Sequence, residues 1–194
     1  MTGSAGVDLP GRPPATRNRA VVDDVIVEVT GGEMLVAAVS VIQAAFRTVL
    51  DEMRLTAADV PTNPAFLTAE YLRTALDDGS RLFAAVESGR PVGTVSLRPA
   101  DTAGVFYLER LAVLPACRHR GFGRRLVDHA VMIADRQGGH LISIGIIAEN
   151  RRLKRWYAAY GFAPAGTREF PHLPFTVCYM TLPVGQRANP PAAR

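Results

Sequence analysis

Cysteine, tryptophan and long apolar runs are scarce in this chain, and each scarcity removes a class of protein. The two cysteines, Cys117 and Cys178, fit a reducing compartment, form no metal pattern and read as structural thiols rather than a redox pair. No stretch approaches the ~20 apolar residues of a membrane span, and the first twenty residues lack the apolar segment of a secretory signal. A cytoplasmic protein with no membrane partner and no metal is expected. Also missing is G-x-x-x-x-G-K-[ST], and where a dinucleotide fingerprint wants its third glycine the chain has Leu126. There is no internal repeat and no aromatic-basic platform for nucleic acid.

A sequence pI near 9.5 nevertheless invites a nucleic-acid reading. Counting by segment weakens it: residues 1–23 and 184–194 hold five arginines and two aspartates, leaving 17 basic and 16 acidic residues between them. The basic excess is local, which suits a small anionic ligand better than a duplex. With 194 residues, 48% of them hydrophobic, the chain can bury one proper core, and one domain is expected. Residues 1–23, with Pro10, Gly11, Pro13 and Pro14, read as a disordered leader, 24–183 as the domain and 184–194 as a flexible tail.

The local excess lies in one stretch. Val105 to Gly123, VFYLERLAVLPACRHRGFG, begins as an apolar strand, breaks at Pro115 and passes through an Arg-rich turn into two glycines that open a helix. A helix start leaves backbone N–H groups without internal partners and carries partial positive charge, so it receives anions. Gly121 and Gly123 allow the backbone to turn inward and a ligand to come close. Arg118, Arg120, Arg124 and Arg125 surround the same point, and no acidic residue lies between Arg110 and Arg125.

Alternation and helical periodicity order the rest. Strands are predicted at 25–30, 82–87, 91–97, from Val105, at 140–148, 163–170 and 175–182; helices at 34–52, 68–78, 121–137 and 151–160. The helix between the Val105 strand and the almost wholly apolar 140–148 strand makes a βαβ unit, hence a parallel pair with a right-handed crossover; such a strand should be covered on both faces. The linker 57–66, with Pro61 and Pro64, is long enough to be either functional or floppy.

The spacing Arg118-x-x-Gly121-x-Gly123, followed by a helix, an apolar strand, Asn150 and the run Trp156-Tyr157-Ala158-Ala159-Tyr160-Gly161-Phe162, resembles the GNAT superfamily of acyl-CoA-dependent N-acyltransferases. The likeness spans Val105 to Phe162. It implies a mixed, mostly antiparallel α/β sheet with a parallel splayed pair and flanking helices, and acetyl-CoA as co-substrate. It further implies a cofactor-binding set of Leu111, Ala112, Val113, Arg118, His119, Arg120, Gly121, Phe122, Gly123, Arg124, Asn150 and Tyr157. In that set the backbone of 111–113 would bind pantetheine amides and polarise the thioester carbonyl, and Asn150 would fix the pantetheine arm, N-cap the last helix, or both.

Acyl transfer from a thioester to an amine needs a base for the amine and a proton for the departing thiolate. Tyr157, seven residues after Asn150, matches the tyrosine whose hydroxyl lies near the CoA sulfur in the family; Trp156 and Tyr160 are assigned to the core. Glu109 is the only acid in 105–113. In strict alternation it shares a face with Val105, Tyr107, Leu111 and Val113, apolar surroundings that favour a proton acceptor; a bulge, common on this strand in the family, would shift that alternation. Two readings stay open for it, general base or a structural partner of Arg110 or another arginine. Arg151, Arg152, Lys154 and Arg155 read as a solvated face, from which one cation could reach a phosphate. His119 would act through its amide, His129 and His140 read as ordinary, and His172 would pack a turn or help to receive the amine. The expected activity is transfer of an acetyl group to a primary amine of a small molecule or peptide; the alternative is an acyl-CoA-binding sensor that transfers nothing. A homodimer is expected from family habit and from Phe175, Val177 and Tyr179, which would extend a sheet across two chains.

Overall fold

A computed structural model describes residues 25–185. The expected leader lies outside the described residues, as does the tail from 186 onward. Val184 is buried and donates its N–H to the His140 carbonyl at 2.9 Å, so the ordered chain runs to the end of the described segment. Seven strands form one sheet in the order β1-β2-β3-β4-β5-β7-β6. They are β1 (Val25–Val29), β2 (Arg81–Glu87), β3 (Arg90–Pro99), β4 (Val105–Val113), β5 (Leu141–Ile147), β6 (Ala163–Glu169) and β7 (Thr176–Pro183). All neighbours are antiparallel except β4 and β5. The helices are α1 (Gly32–Met53), α2 (Ala69–Asp77), α3 (Phe122–Arg136) and α4 (Arg151–Tyr160).

Two apolar clusters hold the layers together. Leu35, Ala38, Val39 and Ile42 of α1 and Leu72 of α2 pack with Val29, Leu82, Ala84 and Ala112. Phe122, Leu126, Val127 and Ala130 of α3 pack with Phe83, Val95, Phe106, Leu108, Ile142 and Met180 in the other. At ~1.5–3 kcal/mol for each large side chain removed from water, these clusters fix the sheet against its helices. Among the described residues α1 is long and apolar enough to cross a membrane by length and composition, against the expectation of no such run. Its seven buried residues face the core, which accounts for the apolar stripe.

The linker before α2 is packed rather than floppy. Val60 and Ala65 are buried with Leu50 of α1, Asn63 caps a short 3₁₀ turn at Pro64–Phe66, and Thr68 caps α2 by accepting from Tyr71 N at 3.1 Å. β5 differs from expectation: its residues alternate between buried and accessible, with Gly145 exposed. β7 lies between β5 and β6, so both of its edges are occupied and it cannot add a second chain. The free edge on this side belongs to β6, every residue of which is exposed and which carries Pro164, a register shift before Gly166, and the charged pair Arg168 and Glu169. Such features protect an edge from pairing.

Candidate active site

The functional geometry begins with a backbone event in β4. Arg110 has φ +50°. The register against β3 slips there, with Thr94 opposite Ala112 but Ser96 opposite Glu109, so Val95 faces two residues and the strand bends. The Arg110 carbonyl accepts from Thr94 Oγ1 at 3.1 Å. Side-chain parity inverts across the bulge: Phe106 and Leu108 before it and Leu111 and Val113 after it pack on the α3 side, whereas Ala112 packs with α1. Leu111 and Val113 therefore do not share Glu109's face.

Bent away by the bulge, β4 pairs with β5 only at Val105–Leu141, Phe106–Ile142 and Tyr107–Ser143. Beyond that point β4 stays with β3 and β5 with β7, so the β5-facing edge of β4 from Glu109 to Val113 is without a strand partner. The opening holds a cavity of about 350 Å³. It is lined by Leu111, Ala112 and Val113 of β4; Arg118, His119, Gly121, Phe122, Gly123 and Arg124 of the turn and α3; Asn150, Arg152, Leu153 and Trp156 at α4; Cys117; and Ala45, Phe46, Thr48, Val49 and Glu52 of α1.

The turn into α3 is shaped by His119 at φ +62° and Gly121 at φ +85°. Gly121 is the N-cap of α3 in a left-handed conformation that glycine adopts without strain, and no side chain caps the helix. The first amides of α3 are thus available to an anion at the cavity's edge. Asn150 caps α4 by accepting from Leu153 N at 3.0 Å, one of the two duties expected of it, and lines the cavity as well.

The arginines divide into different tasks. Arg118 turns back to α1, donating to Thr48 Oγ1 (2.8 Å), the Ala45 carbonyl (3.2 Å) and the Val113 carbonyl (3.3 Å). It stitches the turn to α1 through neutral acceptors. Arg120 pairs with Glu87 at the end of β2 and lies over the Phe122 ring at 5.2 Å. It is not among the lining residues, contrary to expectation. Arg124 lines the cavity with its guanidinium over Tyr160 at 5.4 Å. Arg152, on the face read from sequence as solvated with one cation able to reach a phosphate, also lines it, its guanidinium 3.1 Å from Nε2 of His119. Arg124 and Arg152 are the cations offered to the rim.

Tyr157 and Glu109 sit differently from the lining set. Tyr157 is 4% exposed in the main core cluster, edge-to-face with Phe162 (5.2 Å) and with Trp156 (5.0 Å). Burial pushes its phenol above the usual range. Its neighbour Trp156 is the α4 aromatic that faces the cavity, 37% exposed, and Tyr160 bonds Asp128 of α3 at 2.7 Å. The core assignments of Trp156 and Tyr157 are therefore exchanged relative to expectation. Glu109 is held by two guanidiniums, Arg110 at 2.7 Å and Arg98 at 3.3 Å, not by apolar neighbours. Arg110 reaches Tyr71 of α2 at 3.5 Å.

The residues missed in sequence were chiefly those of α1. Ala45, Thr48, Val49 and Glu52 recur at helical spacing, and that face was the available signal. Among the described residues no group of acidic, histidine and cysteine side chains is arranged to hold a metal.

A family model described as the acetyltransferase (GNAT) family matches residues 45–162. The chain belongs to the GNAT acetyltransferase family. GNAT enzymes are acetyl-CoA-dependent N-acyltransferases, and acetyl-CoA is the co-substrate. Solved structures agree in fold. The ribosomal-protein-S18-alanine N-acetyltransferase from Escherichia coli is similar with a TM-score of 0.62 at 16% identity, over 85% of this chain and 99% of that one. A Salmonella typhimurium structure with its cofactor acetyl-CoA gives 0.60 at 19%, over 87% and 99%, and an aminoglycoside 6'-N-acetyltransferase complexed with coenzyme A gives 0.61 at 15%, over 85% and 99%. No curated protein matches the sequence. The lining of this GNAT cavity suits the co-substrate chemically. Phe46, Val49, Leu111, Leu153 and Trp156 offer an apolar wall to an alkyl-amide arm, while Arg124, Arg152 and the α3 amides offer positive charge to phosphates.

Proposed function

We propose that this GNAT domain moves an acetyl group from acetyl-CoA to a primary amine by direct attack, both substrates being bound at once. The observation that carries the reading is the parting of β4 from β5 directly beside the uncapped start of α3, with Arg124 and Arg152 at the same rim. In the reaction the neutral amine nitrogen bonds to the thioester carbonyl carbon, the C–S bond breaks, the nitrogen loses a proton and the thiolate gains one. An N–H on the free edge of 111–113 polarises the carbonyl. Tyr157 supplies the thiolate's proton: its ring packs on Trp156 at the cavity wall, and burial keeps the phenol protonated through neutral and mildly alkaline pH.

Glu109 is the group to which the amine's proton passes, directly or through water. It is the one carboxylate on β4 and sits at the bulge next to the free edge, oriented by Arg98 and Arg110. The similar structures reported above include one named for an alanine of a ribosomal protein and one named for an aminoglycoside, so both peptide and small-molecule amines belong in the test. A panel of both kinds, with acetyl-CoA and a free-thiol readout, is expected to show thiol release that depends on the added amine. Binding of acetyl-CoA without amine-dependent release across the panel would favour the sensor alternative.

A further inference from the structure

The bulge in β4 is held from β3 by two neighbouring residues. Thr94 is fully buried, and its hydroxyl donates to the Arg110 carbonyl at 3.1 Å. Gly93 leaves room for the stretch after the bulge: a Cβ there would lie 3.0 Å from the Ala112 carbonyl oxygen, 3.0 Å from Leu126 Cδ1 and 3.3 Å from Val113 Cγ2. The register agrees, Thr94 standing opposite Ala112 and Gly93 opposite Val113. Residues 110–113 are thus pinned by a side-chain hydroxyl at one end and by close backbone approach at the other.

The residue held by the hydroxyl has an unfavourable backbone. Arg110, at φ +50°, lies in the left-handed region that residues with a side chain adopt at a cost and keep only where their surroundings over-determine it. Both of its ends are fixed. The carbonyl has the Thr94 hydroxyl, and the guanidinium, on a side chain 11% exposed, has Glu109 at 2.7 Å and the Tyr71 ring at 5.6 Å. The peptide that follows is trans, as is every described one, so its N–H is antiparallel to its C=O. With the Arg110 carbonyl turned to β3, the Leu111 N–H is turned from β3, toward the edge of β4 that has no strand partner and borders the acyl-CoA cavity.

We propose that Thr94 is a positioning residue for acyl transfer: its hydroxyl holds the Arg110–Leu111 peptide so that the Leu111 N–H is the donor that polarises the thioester carbonyl. The inference rests on the acyltransferase reading, which sets the thioester beside 111–113, and it names one N–H of the three and the side chain that aims it. Thr94 does not line the cavity, so it acts through the peptide. A donor is most effective when it is fixed before charge develops on the oxygen it serves. Without the hydroxyl, the Arg110 carbonyl loses its buried partner and the peptide is free to rotate and relieve the positive φ.

The experiment compares Thr94→Val, which keeps the shape and removes the hydroxyl, with Thr94→Ser, which keeps the hydroxyl and loses a methyl, and with Thr94→Ala. Circular dichroism and melting temperature establish the folding of each. The infrared spectrum of bound acetyl-CoA, labelled with heavy carbon at the thioester carbonyl, is then recorded, because a hydrogen bond to that oxygen lowers its stretching frequency. The expected result is a lower frequency in the wild type and Thr94→Ser than in Thr94→Val and Thr94→Ala. With an amine that gives thiol release, kcat should fall at least about tenfold in Thr94→Val, part of the ~10²- to 10³-fold cost of losing such a donor outright. The KM for acetyl-CoA should change little, and Thr94→Ser should restore kcat. A hydroxyl that only supports the fold would lower the melting temperature of Thr94→Val and leave frequency and kcat at their wild-type values, and that result overturns the proposal. Failure of the acyltransferase reading shows separately, as no amine-dependent thiol release, while the spectrum judges Thr94 without turnover.

Discussion

Trp156 and Tyr157 are adjacent in sequence and opposite in environment, one facing the cavity and the other closing the core. Helical spacing shows which residues share a face, but not which face meets the core. On α4, Leu153 and Trp156 form the cavity face, and Tyr157 takes the core position. Tyr157→Phe keeps the packed ring and removes one hydroxyl. We expect turnover to fall by ~10²- to 10⁴-fold with little change in acetyl-CoA affinity; steady-state rates beside a binding titration check both. Glu109 shows the second limit of a sequence: a bulge is a backbone event, and inserting one residue at Arg110 exchanges the faces of everything after it. Glu109→Gln is expected to slow turnover most from acidic to neutral pH, where the amine needs a base, and least at high pH, where the amine is already neutral. A pH-independent deficit would mark the carboxylate as a clasp for Arg98 and Arg110 alone.

Most elements were legible because they carry local signals. Thr68 and Asn150 cap α2 and α4 as their side chains allow, and the strand, glycine turn and helix that present the α3 amides follow directly from residues 105–123. What was not legible is how elements meet. The four arginines within 118–125 look alike in sequence, yet one is bound to α1, one to β2, and a cation from α4 joins Arg124 at the rim. The Arg118–Thr48 contact ties α1 to the α3 turn. Thr48→Val removes an acceptor from a charged donor, so a stability loss of ~1.5–3 kcal/mol is expected, together with a raised KM for acetyl-CoA and little change in kcat. Denaturant unfolding and initial-rate kinetics separate the two effects; an unchanged KM would mean the stitch only stabilises the fold.

At the scale of the molecule, the α3-side cluster carries the two groups through which pH acts on the fold. His129 lies edge-on to Phe83 at 4.7 Å. Burial, reinforced by Arg81 and Arg136, holds its pKa below the ordinary histidine value. The folded state therefore binds this proton less readily than the unfolded state, and stability present above the ordinary value is lost as pH falls through it. Tyr157 acts at the other end: burial raises its pKa, so its contribution is lost as pH rises above that of a free phenol. Melting temperature should decline on both sides of neutrality, and His129→Gln should flatten the acid side.

The central claim is that the opening between β4 and β5 holds acetyl-CoA by its phosphates at the start of α3. The direct measurement is the melting temperature with millimolar acetyl-CoA, set beside acetyl-pantetheine, which carries the arm and thioester without the pyrophosphate. A ligand present at a hundred times its Kd stabilises by about 2.7 kcal/mol, a shift of roughly 5–10 °C for a chain of this size. We predict a shift of that order with acetyl-CoA, little with acetyl-pantetheine, and none with either in Gly121→Val, whose side chain meets a left-handed backbone at the phosphate turn. An unchanged melting temperature with acetyl-CoA, or equal shifts with both compounds, would contradict the account.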